Sequence, residues 1–270
     1  MSINETFREL KKRDEGCLIA YVTGGDPLPK YTPKIAEALV KGGADIIEIG
    51  IPFSDPIADG PTIQAAYNRA LSVGTTPNTI FNIVKKTKKR IDVPIILLTY
   101  YNIIFKMGVN NFLEKAREYD IDGLIIPDLP IEEAADYKDC AEKTGINTIF
   151  LATPSTSMTR LKHILDYASG FLYLVSVFGV TGVRDDLVKI TTDTIKKFKS
   201  RVIEYLPIAV GFGLSKPEHL RTVIDCGAEG AIVGSAFVKI IESNLDNSIR
   251  MMGQISLFAK ELKNATIKRA

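Results

Sequence analysis

The chain has 270 residues, enough for one large domain or two ordinary ones. It is 46% hydrophobic and 24% charged, with 34 basic against 32 acidic residues scattered along it, which argues against a disordered chain and against nucleic-acid binding through bulk charge. Cys17, Cys140 and Cys226 form no CxxC pair, so neither a disulfide framework nor a zinc site is suggested, and no apolar run approaches the roughly 20 residues of a membrane span; a cytoplasmic protein is expected.

The N-terminal stretch MSINETFRELKKRDEG is charged and amphipathic, without the apolar core of a signal peptide. The first β-branched run follows, CLIAYV (17–22), then an amphipathic segment, YTPKIAEALVKGGA, and the run ADIIEIG (44–50). A loop rich in Pro and Asp leads to TIQAAYNRAL, and a further helical pattern ends in KKTKKR (85–90), where cations suit the C-terminal turn. Strand-like runs recur at PIILLTY (94–100), DGLIIP (122–127), NTIFLA (147–152), FLYLVSV (171–177), PIAVGF (207–212) and GAIVGS (230–235), with helical segments between them. The last segment, 248–263, reads as a closing helix with apolar positions Ile249, Met252, Ile255, Phe258, Ala259 and Leu262.

Most of the eight runs are apolar on both faces, as parallel strands covered by helices must be. Eight strand-and-helix units with short connections and no linker predict a single (β/α)8 TIM barrel spanning 1–270. A doubly wound open sheet would want GxGxxG after the first strand, and YVTGGDP (21–27) does not match.

In such a barrel the reacting groups stand at the C-terminal ends of strands and on the loops that follow. Glu48 sits there, within Ile46-Ile47-Glu48-Ile49 and on the side of Ile46 by alternation; Asp59 lies on the next loop. Each has a plainer alternative. Glu48 could be a barrel-lining acid paired with a base, and Asp59 a turn acid or helix N-cap. Glycine turns at GVTG (179–182), GFG (211–213) and GSA (234–236), with the hydroxyl of Ser235, fit a phosphate cradle of backbone N–H groups. Metal chemistry finds little support, since His163 and His219 both sit in helical patterns. Tyr173 shares a face with Phe171 and Val175, so core packing is its default, although its hydroxyl could reach a ligand. The residues indicate a phosphorylated small molecule and carboxylate acid–base chemistry without identifying the molecule.

The stretches AYVTGGDP (20–27), GADIIEIGIPFSDPIADGPTIQAA (43–66), LTYYN (98–102), DGLIIPDLP (122–130), FLATPST (150–156), GVTG, GFGLS (211–215) and GAIVGSA (230–236) closely resemble the tryptophan synthase α-subunit family. The resemblance implies reversible retro-aldol cleavage of indole-3-glycerol phosphate to indole and glyceraldehyde 3-phosphate. It implies that Glu48 is the main acid–base residue and that Asp59 accepts the indole N–H. By the same resemblance Tyr21, Leu98 and Tyr100 line the indole end, position 21 usually being Phe. Tyr173 and Thr181 serve substrate positioning, and Gly182, Gly211, Gly213, Gly234 and Ser235 hold the phosphate. The family's usual Arg in S-R-x-G-V-T-G is replaced here by Val177, a departure that bears on loop closure.

The resemblance also implies a pyridoxal-phosphate β subunit as partner in an α2β2 assembly, with no cofactor or metal in this chain. Pro52, Phe53, Pro56 and Ile57 and segment 100–108 would form that contact; alternatively Ile103, Ile104, Phe105 and Met107 pack under the following helix. Two rivals are a sugar-phosphate isomerase or epimerase, which would want a His or Lys base at a strand end, and a non-catalytic activator of the β subunit.

Overall fold

The computed structural model describes residues 1–176, 184–202 and 206–268, so Val177, Thr181 and Gly182 lie outside the described residues. The strands are β1 (Cys17–Thr23), β2 (Ile46–Gly50), β3 (Ile95–Leu98), β4 (Gly123–Ile125), β5 (Asn147–Ile149), β6 (Leu151–Ala152), β7 (Leu172–Val175), β8 (Ile208–Gly211) and β9 (Gly230–Val233). All pair in parallel, in the order β5-β4-β3-β2-β1-β9-β8-β7-β6.

Only Phe150 separates β5 from β6, and its carbonyl accepts the Tyr173 N–H at 3.0 Å. The two pieces are therefore one barrel strand that pairs with β4 through its first half and with β7 through its second. The expected eight strands thus close on themselves as a TIM barrel, and the open sheet is excluded.

Alternation sorts the side chains. Ile19, Ile46, Ile96, Ile125, Ile149, Phe171 and Ile232 fill the interior, while Leu18, Ala20, Val22, Ile47 and Ile49 face the surrounding helices. The interior is sealed at the N-terminal ends of the strands by the helix Ile3–Lys12, whose Ile3, Phe7 and Leu10 join the same cluster. Ser2 caps that helix reciprocally with Glu5. An acid precedes each of three strands and uses its carboxylate on a neighbouring backbone. Asp45 accepts from the Leu18 N–H, Asp122 from Ile95 and Glu229 from Ile208, at 2.8, 2.8 and 2.9 Å. Lys263, Lys88 and Lys199 supply the opposing charges.

The helix Pro77–Lys88 carries Lys85, Lys86 and Lys88 in its last turn, as the KKTKKR pattern predicts. The closing helix spans Ser248–Thr266, but its buried face is Met251, Ile255, Ala259 and Leu262. Ile249, assigned to that face from the sequence, is 86% exposed, because the packed stripe starts at Met251 rather than two residues earlier. Among the described residues no helix is long and apolar enough to cross a membrane.

Candidate active site

A cavity of about 490 Å³ opens at the C-terminal ends of the strands, where β1 contributes Tyr21, β2 Glu48, β3 Leu98 and β7 Tyr173. The loop after β2 adds Asp59, the turn after β8 adds Phe212, Gly213 and Ser215, and the segment after β9 adds Gly234, Ser235 and Lys239. Residues expected from the sequence at opposite ends of a substrate thus share one chamber. The acids lie between β1 and β3, and the glycine turns lie after β8 and β9.

Glu48 points inward as alternation predicts. It is 1% exposed, and its Oε2 has no hydrogen-bond partner. Among the described residues no base pairs with it, which speaks against the alternative of a structural ion pair. Burial, reinforced by the nearby Asp59 charge, pushes its carboxyl from 4.5 up to about 8. Glu48 is therefore mostly protonated at neutral pH.

Asp59 behaves differently. Its Oδ2 accepts the Tyr100 hydroxyl at 2.6 Å, while Gly60 takes the N-cap position of the helix Pro61–Ser72, so Asp59 is not the cap. Burial raises its proton affinity, and the hydrogen bond from Tyr100 opposes that rise. The loop is pinned by the Ala58 N–H donating to the Tyr100 oxygen at 3.1 Å, by Gln64 donating to the Asp59 carbonyl at 2.7 Å, and by Phe53 stacked on Tyr100 at 5.0 Å. Tyr100 is thus the buried support of Asp59, and its ring is 1% exposed.

Two glycines explain how tyrosines fit the wall. A Cβ on Gly211 would lie 2.3 Å from the Tyr173 hydroxyl, and one on Gly50 would lie 2.3 Å from that of Tyr21. The turn after β8 is held by Ser176, which donates its N–H to the Gly211 carbonyl at 2.7 Å and its hydroxyl to the Phe212 carbonyl. Phe212 and Gly213 both adopt positive φ, 67° and 74°. Ser235 opens the helix Ser235–Glu242, and Lys239 follows one turn later on the same face. Among the described residues Lys239 forms no ion pair.

Tyr67, Phe212 and Lys239 escaped the sequence reading. In TIQAAYNRAL, Ile63, Ala66, Tyr67 and Ala70 form an ordinary helical core stripe, and nothing in that spacing marks the tyrosine as a neighbour of Asp59. Lys239 carried a usable signal, since it lies four residues after the Ser235 of the glycine turn. Segment 100–108 divides between its two readings. Ile104 is buried and Ile103 and Met107 pack against the core, whereas Phe105 is 70% exposed, as is Ile57 on loop two, at 81%.

Residues 7–267 match the family described as Tryptophan synthase alpha chain. The tryptophan synthase alpha chain of Methanosarcina barkeri is 50% identical over 99% of this chain and 98% of its own length. That of Methanocaldococcus jannaschii is 48% identical over 92% and 87%. A solved structure of the tryptophan synthase a2b2 complex from Pyrococcus furiosus superimposes with a TM-score of 0.84 at 42% identity, covering 92% of this chain and 98% of that one. The tryptophan synthase subunit alpha of Legionella pneumophila gives 0.87 at 33% identity, covering 98% of each. With matches of this extent, over a barrel that gathers two acids and two glycine turns in one chamber, the chain belongs to the tryptophan synthase alpha chain family.

Proposed function

We propose that this chamber cleaves indole-3-glycerol phosphate to indole and glyceraldehyde 3-phosphate, with Glu48 as the acid–base group. The observation that carries this reading is Glu48 itself, a nearly fully buried carboxyl with an unpartnered oxygen and a proton affinity near neutrality. Such a group is poised for proton transfer. Glu48 gives its proton to C3 of the indole ring. The positive charge then spreads to the ring nitrogen, whose N–H donates to the Asp59 carboxylate. As the bond from C3 to the side-chain carbon breaks, its electron pair returns to the ring and the neighbouring hydroxyl becomes the aldehyde. The proton that hydroxyl loses restores Glu48, so no net proton is consumed.

Leu98 and Tyr21 bound the indole end, and Tyr173 stands midway. The amides of Gly213 and Gly234, the Ser235 hydroxyl and the Lys239 ammonium suit the phosphate. Gly211 serves the site by admitting the Tyr173 ring. The family resemblance adds Thr181 and Gly182 to this end.

The chain acts as the α subunit of an α2β2 tryptophan synthase, in the cytoplasm and as one barrel domain over 1–270. Indole passes to a β subunit that carries the pyridoxal phosphate. The exposed Ile57 and Phe105 support the rim above the chamber as the contact.

The test is release of indole from indole-3-glycerol phosphate, with and without a β subunit. Glu48→Gln is expected to abolish release while leaving binding of phosphate ligands intact, and Asp59→Asn to lower turnover by about 100-fold or more. Normal turnover by Glu48→Gln would refute the assignment. Activation of the β subunit without any cleavage would favour the non-catalytic reading.

A further inference from the structure

The run KKTKKR (85–90) has no part in the chamber, and its residues are put to different uses. Lys88 donates to Asp122 at 2.7 Å, and Lys85 lies over the Tyr119 ring at 5.8 Å. Lys86, Lys89 and Arg90 instead line a separate groove of about 750 Å³, together with Lys30, Pro33 and Glu37. This groove lies between the start of the helix Thr32–Lys41 and the end of the helix Pro77–Lys88, and it shares no lining residue with the chamber.

Four cations and one acid line the groove, a larger positive excess than the +2 of the whole chain. Glu37 pairs with Arg90 at 2.5 Å, while among the described residues Lys30, Lys86 and Lys89 form no ion pair. The negative end of a helix dipole accounts for Lys86 and Lys89. It does not account for Lys30, which stands at a helix end of the opposite sign. Such an end ordinarily takes an acid or a capping side chain. The helix Thr32–Lys41 has neither, since its N-cap Tyr31 makes no side-chain cap and its first turn holds no acid; Lys30 and Lys34 flank that turn instead. Cations thus meet across the groove from both helices, where an anion would relieve them.

We propose that this groove binds a linear polyphosphate chain, with Lys30 on one side of it and Lys86 and Lys89 on the other. The lysine ammonium is a point charge on a flexible stem and suits phosphate oxygens without a fixed geometry. A chain of phosphates reaches both walls, which a single phosphate does not. Nucleic acid fits less well, because no aromatic ring lines the groove to stack a base. Glu37 tempers the site, for it occupies Arg90 and adds the one repulsive charge. The site stands apart from the cleavage chemistry and does not rest on it.

Isothermal titration calorimetry of the full chain with inorganic tripolyphosphate tests this, in about 50 mM salt and with saturating glycerol 3-phosphate to fill the chamber. One tripolyphosphate per chain is expected, bound at least about tenfold more tightly than orthophosphate. Lys30→Gln should weaken it about fivefold, and the double variant Lys86→Gln/Lys89→Gln about tenfold or more, both with indole release unchanged. Glu37→Gln should act in the opposite direction and tighten binding about threefold, since it frees Arg90. All these side chains are exposed, so the variants keep the fold. Thermal unfolding gives a second readout, in which tripolyphosphate raises the melting temperature of the parent and not of the double variant. Unchanged affinity in Lys30→Gln, or weaker binding in Glu37→Gln, would overturn the proposal. So would equal affinity for orthophosphate, which would reduce the groove to general charge attraction, or tighter binding of a short oligonucleotide, which would assign it to nucleic acid. Full activity of Glu48→Gln would sink the cleavage reading and leave this site untouched.

Discussion

Replacing Glu48 with Gln should stabilise the protein increasingly as the pH rises. The folded state raises this carboxyl from 4.5 to about 8. At about 1.4 kcal/mol for each tenfold change in proton affinity, the full interval is worth about 5 kcal/mol. The sign follows from linkage. The folded chain holds the proton more tightly than the unfolded one, so the stability it confers is complete below 4.5 and is lost as the pH climbs through about 8. Roughly 2 kcal/mol has gone by pH 6 and nearly all by pH 9, leaving a difference of about 3 kcal/mol between those two conditions. Glutamine does not titrate, and any cost of burying its amide is the same at both pH values. Urea unfolding followed by circular dichroism should therefore give a stability difference between Glu48→Gln and the parent that moves about 3 kcal/mol in favour of the variant from pH 6 to pH 9. A constant difference would mean that Glu48 ionises normally, and the acid role drawn from its burial would be lost.

Four other expectations follow from the same structure. Lys239→Gln removes the cation beside Ser235, so KM for indole-3-glycerol phosphate should rise about tenfold at low salt with kcat little changed. Gly211→Ala places a methyl 2.3 Å from the Tyr173 hydroxyl and should lower stability by about 1–3 kcal/mol in chemical denaturation. Arg69 clamps the fully buried Asp26 at 2.8 and 2.9 Å and reaches Glu242 at 3.0 Å, so Arg69→Leu should cost about 3–5 kcal/mol at neutral pH, with the loss shrinking in acid as Asp26 takes up a proton. Phe105→Asp should weaken binding to a β subunit at least about tenfold by calorimetry while leaving the circular dichroism spectrum unchanged.

What the sequence disclosed follows from what periodicity encodes. Alternation around Ile46 set the direction of Glu48, and continuous apolar runs located every barrel strand, because both are local consequences of backbone geometry. The break at Phe150 was not legible, since it arises where one strand's ladder passes from β4 to β7, a matter of stagger between distant segments. The company of Asp59 was equally hidden. Tyr100 lies 41 positions away and Tyr21 is 46 from Tyr67, so only the closed ring brings these hydroxyls together. One position of the closing helix, Ile249, was misplaced for a related reason, because the outer face also carries apolar residues, Ile249 and Leu257, which burial alone separates from the packed stripe.

The N-terminal helix that stoppers the barrel has a consequence for biogenesis. Its Phe7 ring meets Phe171 at 5.9 Å, across most of the chain. A ribosome adding 5–20 residues per second leaves Ile3, Phe7 and Leu10 without their eventual seat for roughly ten to thirty seconds. The earliest-made segment must therefore wait, its greasy side bare, for some of the last strands to emerge, so slow translation of the second half should heighten aggregation more than slow translation of the first.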